Sequence, residues 1–108
     1  MGKQIEYILY SMGLTPNYKG YQQLILALRI VIEEPDSLRV ATKQLYPAVA
    51  SRCGTNWKAV ERNIRAMIKI AWETAPEKLK ELSGYPLEKR PKPTQFLAFF
   101  AHYLLRAQ

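Results

Sequence analysis

The stretch Trp57–Glu73 carries two stripes at once, and few folds accommodate both. Trp57, Val60, Ile64, Met67/Ile68 and Ala71/Trp72 recur at steps of three and four, which draws one apolar face of an α-helix. Lys58, Arg62, Arg65 and Lys69 step by four, three and four along another face, with Glu61 and Asn63 beside them. Upstream, Tyr46–Arg52 reads as a short helix with Pro47 in its first turn, where a missing N–H costs nothing. Cys53-Gly54-Thr55-Asn56 joins the two. Gly54 suits a left-handed conformation after the first helix, and Thr55 or Asn56 can cap the second. Two helices across a tight glycine-containing turn make a helix-turn-helix, whose second helix enters the DNA major groove.

The remaining segments also carry helical periodicity. Ile5, Ile8, Leu9 and Met12 predict a helix over Ile5–Met12, ended by Gly13 and followed by a turn at Leu14-Thr15-Pro16-Asn17. Gly20–Glu34 follows, with Tyr21, Leu24, Ile25, Leu28, Val31 and Ile32 as its core stripe and Pro35 as its stop. Asp36 is the expected N-cap of a third helix, Ser37–Gln44, with Leu38, Ala41 and Leu45 inward. Past Pro76, a short helix spans Glu77–Leu82. Tyr85–Pro93, with three prolines and three basic residues, is expected to be a mobile loop. Thr94 is expected to cap a last helix to Ala107, with Phe96, Leu97, Phe100, Tyr103 and Leu104 inward. Phe99 either widens that buried face, the preferred reading, or points outward as a protein contact. No repeat and no convincing strand interrupts the pattern, so the fold class is all-α, about six helices around a helix-turn-helix.

With 108 residues, the chain is expected to be a single domain over 1–108. Sixteen Lys+Arg against nine Asp+Glu leave a net charge of +7, which favours an anionic partner. One cysteine, Cys53, excludes an internal disulfide framework and a cysteine-rich zinc site; one histidine, His102, leaves no His/Cys metal cluster. No apolar run approaches the ~18 residues a membrane span needs. No apolar stretch follows the charged start as a secretory signal requires, so a cytoplasmic location is expected. No acid/base pair, nucleophile or phosphate loop is evident. An enzyme, a cofactor and a small-molecule substrate are therefore not expected.

The chemistry of the basic stripe suits double-stranded DNA. Arginine's planar fork matches guanine O6 and N7 with two parallel hydrogen bonds, which fits Arg62 and Arg65 for base reading. Glu61 either accepts from the cytosine N4 amine or orients a neighbouring Arg or Lys. Lys58 and Lys69 suit phosphate, where a point charge suffices. Thr55 and Asn56, at a helix N-terminus, either attract a phosphate oxygen or simply cap the helix. Lys89, Arg90 and Lys92 either clamp phosphates beyond the groove or form a solvated loop. Trp57 and Trp72 lie on the apolar stripe and belong to the core rather than to a base-stacking platform.

Several stretches, taken in order, resemble a known family: Lys19-Gly20-Tyr21, Thr42-Lys43-Gln44-Leu45-Tyr46-Pro47-Ala48-Val49-Ala50, Val60-Glu61-Arg62-Asn63-Ile64-Arg65, Ala71-Trp72, Gly84-Tyr85, Lys92-Pro93-Thr94 and Phe96-Leu97-Ala98. Together they resemble the C-terminal DNA-binding effector domain of the stage-zero sporulation master response regulator of endospore-forming bacteria. The likeness runs from about Ile5 to Leu105. It implies a six-helix fold and sequence-specific transcription control, by activation or repression, at boxes close to TGTCGAA. It also implies head-to-tail dimers on tandem boxes. The family's base-reading residues fall on Glu61, Arg62 and Arg65. Its Ser-Arg pair before the valine is Lys58-Ala59 here, and its later His is Ala66, so flanking contacts depart from the family's. The resemblance also implies that the family regulator normally begins with a phosphoacceptor receiver domain; none is expected within these 108 residues, which are then either an excised domain or a stand-alone relative.

Two other readings compete. A protein-interaction module would dock its basic face on an acidic partner such as RNA polymerase subunits. A membrane-surface bundle would leave Trp57 and Trp72 exposed.

Overall fold

Proline and glycine punctuation divides the chain much as expected. A computed structural model describes residues 2–106, and among these there are six α-helices and no strand. They are α1 (Gly2–Ser11), α2 (Gly20–Glu33), α3 (Tyr46–Cys53), α4 (Trp57–Thr74), α5 (Pro76–Ser83) and α6 (Pro93–Arg106). The end expected at Ala107 lies outside the described residues.

One core binds them. Ile5, Ile8, Leu9 and Met12 of the first segment are buried, as their spacing requires. Leu24, Ala27 and Leu28 place α2 at the centre, where it packs against α3, α4 and α6. From α6, Phe96 and Phe100 reach the same core with rings edge to face, 5.5 Å apart. Each such fully buried large side chain contributes about 1.5–3 kcal/mol of transfer free energy. Phe99 is buried as well, edge-on to Phe96 at 5.6 Å, which favours the wide-face reading over an exposed contact. Ile32, Leu38 and Tyr103 reach the core only partly.

The third segment departs from expectation. Pro35–Val40 is a 3-10 helix and Ala41–Leu45 a turn of π-helix, rather than one α-helix over Ser37–Gln44. Proline at the first helical position starts the turn two residues early, with Glu34 at the cap position, so Asp36 lies inside it and caps nothing. Val40, at φ −128 and ψ 49, then breaks the helical run. The π turn still buries Ala41 and Leu45.

The last helix also begins before its expected cap. The backbone N–H of Lys92 donates to Gln95 Oε1 at 3.2 Å, and Phe96 N–H donates to the Lys92 carbonyl at 2.9 Å. Lys92 is thus the cap residue and Thr94 lies in the first turn. Nor is the preceding proline-rich segment loose: Leu87, Pro91 and Pro93 are all buried and pin it at three points.

The junction of α3 and α4 follows the expected chemistry closely. Gly54 closes α3 in the left-handed conformation, at φ 65 and ψ 37, with its N–H on the Ala50 carbonyl. Asn56 then starts α4: its Oδ1 accepts from the Ala59 N–H at 2.9 Å. Asn56→Ala is expected to cost about 1 kcal/mol of stability. Urea unfolding should show a lowered midpoint at constant slope; an unmoved midpoint would remove the cap from the list of stabilising features.

Candidate nucleic-acid interface

Helix α4 has two unlike faces. Val60, Ile64, Met67, Ile68 and Ala71 are buried, whereas Lys58, Arg62, Arg65 and Lys69 are exposed. The sequence placed all four cations on one face, and the structure leaves that face open to solvent. Glu61 is only partly exposed and sits one turn before Arg65, with 3.8 Å between Oε1 and Nη2. This is an exposed i,i+4 pair with Glu N-terminal, worth a few tenths of a kcal/mol. Arg62 forms no ion pair among the described residues. Lys58 Nζ lies 5.8 Å from the centroid of the Trp57 ring, close enough for a weak cation–π attraction.

At the N-terminal end of α4, the Asn56 side chain divides its roles. Oδ1 is committed to the cap, which leaves the Nδ2 amide as a donor. Thr55 is exposed, and its N–H is held by the Ala50 carbonyl at 3.0 Å. Lys89, Arg90 and Lys92 are exposed on the segment between α5 and α6; their side chains make no hydrogen bond or ion pair to α3 or α4 among the described residues. Both tryptophans are half-buried against the core, which disfavours a membrane-surface bundle.

Two supports of α4 escaped the sequence reading. Asn63, which periodicity put beside the basic stripe, donates through Nδ2 to Gln23 Oε1 at 3.0 Å and so ties α4 to α2. Gly20 sits where the same helices cross. A Cβ there would lie 2.8 Å from the Asn63 carbonyl oxygen and 2.8 Å from Met67 Cγ. The third missed feature is Tyr46, buried at the start of α3. Its hydroxyl has no hydrogen-bond partner. Burial first, and the Glu61 carboxylate second, push its pKa up to about 12, while Arg65 pulls it down.

A groove of about 490 Å³ between α5 and α6 holds both Ser83 and His102. The Ser83 hydroxyl, however, is engaged with the backbone carbonyls of Lys80 and Tyr85 at 2.9 and 2.6 Å. No cluster of three or more potential metal-ligating His, Cys, Asp or Glu occurs among the described residues. No helix there is long and apolar enough to cross a membrane.

Comparison with known families agrees with this geometry. The model described as "Sporulation initiation factor Spo0A C terminal" matches residues 5–104, nearly the whole chain. That domain is a DNA-binding effector domain of a sporulation regulator, and its role is regulatory rather than catalytic. An all-α fold, a helix-turn-helix with an open basic face and a match of this extent lead to one conclusion: the chain belongs to the Spo0A C-terminal domain family.

Proposed function

We propose that α4 is a recognition helix that enters the major groove of a TGTCGAA-like box and controls transcription from it. One observation carries this reading: Lys58, Arg62, Arg65 and Lys69 all lie exposed on the helix that follows the glycine turn. Arg62 and Arg65 read guanine edges through paired donors, and Glu61 accepts from a cytosine amine. Lys58 and Lys69 hold phosphates on either side. Thr55 and the Asn56 amide, next to the free N–H groups that open α4, take a further phosphate oxygen. Lys89, Arg90 and Lys92 extend the positive surface toward flanking phosphates. Head-to-tail dimers on tandem boxes, a contact with RNA polymerase and a cytoplasmic site of action belong to the same reading, whose DNA-binding core the family match supports.

Base and phosphate contacts separate experimentally. Lys69→Ala is expected to weaken binding to the box and to a scrambled duplex alike, and to lower the slope of log affinity against log salt by about one. Fluorescence anisotropy across a salt series reads both. A loss confined to the box would make Lys69 a base contact instead.

A further inference from the structure

The outward face of α1 is built unlike a solvated one. Ile5, Ile8, Leu9 and Met12 turn one side of this segment into the core. At about 100° per residue, Lys3, Tyr7 and Tyr10 fall on the opposite side, with Glu6 at its edge. A helix face turned to water usually carries charged and polar residues. Here Tyr7 is 79% exposed and Tyr10 72%. The other exposed large apolar residues, Val40, Tyr85 and Leu105, lie on three separate segments. Lys3, Glu6, Tyr7 and Tyr10 together line one groove of about 330 Å³. None of the four side chains makes a hydrogen bond or ion pair among the described residues.

We propose that this face is an interface between two copies of the chain, packed α1 against α1 across a two-fold axis perpendicular to the helix. Charge selects this occupant. The chain carries +7, so two copies repel over most of their surface. The α1 face holds one cation, Lys3, and one carboxylate, Glu6, and is neutral. It is also self-complementary. Such an axis runs the two helices antiparallel and makes every contact twice. With the axis near Glu6 and Tyr7, Lys3 of one copy lies opposite the Glu6–Tyr10 stretch of the other. Its ammonium meets a carboxylate and a ring face there, while its stem covers apolar surface. Each groove takes a tyrosine ring of the other copy, whose hydroxyl stays at the wet edge. A strongly acidic or basic partner would find no net charge to answer it here. Four tyrosines at roughly 150–250 Å² each bury at most about 1,000 Å², less than a stable interface needs, so the dimer is weak and reversible. It joins copies in opposed orientation, which head-to-tail neighbours on tandem boxes do not share. The inference thus goes beyond the recognition-helix reading and stands without it.

Sedimentation equilibrium of the DNA-free chain, from about 10 µM to about 1 mM, tests the interface directly. The native chain should pass from monomer to dimer and no further, because a two-fold contact closes on itself. Tyr7→Ser/Tyr10→Ser should stay monomeric with an unchanged Tm, since both side chains face solvent and serine matches tyrosine in helix propensity. Lys3→Glu and Glu6→Lys each set like charges across the axis, and each should weaken self-association about tenfold, every pair counting twice. They move the net charge in opposite directions, so a loss in both is not an effect of overall charge. An equimolar mixture of these two variants should recover the association. A native chain that stays monomeric at the highest concentration overturns the proposal and leaves the face to a different partner. A tyrosine variant that associates like the native chain, or growth past the dimer, overturns it as well. Charge variants whose mixture associates no better than either alone would exclude the antiparallel α1 pairing.

Discussion

Arg62→Ala is expected to weaken binding to the box by about 1–3 kcal/mol, and to relax base preference at one position. Two features make Arg62 the most sensitive site on α4. Its guanidinium is exposed and unpaired among the described residues, so no intramolecular contact must break before it reaches a base. Arg65, by contrast, must first leave Glu61, which offsets a few tenths of a kcal/mol of whatever it gains. The planar fork also matters more than the charge. Arg62→Lys should recover part of the salt-dependent affinity but not the base preference, because an ammonium cannot form the bidentate pair. Anisotropy titrations of the box and of singly substituted boxes read both effects. Unchanged affinity for the box in the alanine variant would remove Arg62 from the interface.

Gly20→Ala is expected to lower stability by about 1–3 kcal/mol, an effect of overpacking. Alanine ordinarily favours a helix, by up to about 1 kcal/mol over glycine in its interior. Here the added methyl would lie 2.8 Å from the Asn63 carbonyl oxygen, and backbone in the middle of α4 does not rotate away as a side-chain tip would. The helices must separate. That strains the Asn63–Gln23 bond and uncovers Met67, which is otherwise buried. Since α4 is the helix proposed to reach DNA, affinity for the box should fall together with stability. Denaturant titration measures the first and anisotropy the second. A Gly20→Ala protein as stable as the native chain would mean that the α2–α4 crossing tolerates a wider separation.

These two residues illustrate what the sequence makes legible. Arg62 stood out because a helix repeats its faces every three to four residues, and four cations at that spacing define a surface before any contact is known. The glycine after α3 and the asparagine before α4 were equally readable, since left-handed backbone and orphan N–H groups select few residue types. Gly20 offered no such signal. Its role depends on a helix more than forty positions further along the chain, and Asn63 finds Gln23 across a separation of 40 residues. Asn63 adjoins Arg62 in the chain, but one residue turns a helix by about 100°, which carries Asn63 off the basic face to the side that α2 covers. The 3-10 and π turns of Pro35–Leu45 were hidden for a related reason. Leu38, Ala41 and Leu45 fit helical spacing, and only the break at Val40 separates the two turns. Tyr46 carried no signal of its own beyond opening a short helix, and only the buried, unpartnered hydroxyl marks it out.

The central claim is sequence-specific DNA recognition by α4. Its most direct test is a fluorescence-anisotropy titration of the native chain against a TGTCGAA duplex and a scrambled duplex, at several salt concentrations. The predicted result is tighter binding to the box that persists at physiological salt, above a weaker, steeply salt-dependent affinity for both duplexes. Equal affinities that fade together as salt rises would contradict it, and would leave α4 as a basic surface without base readout.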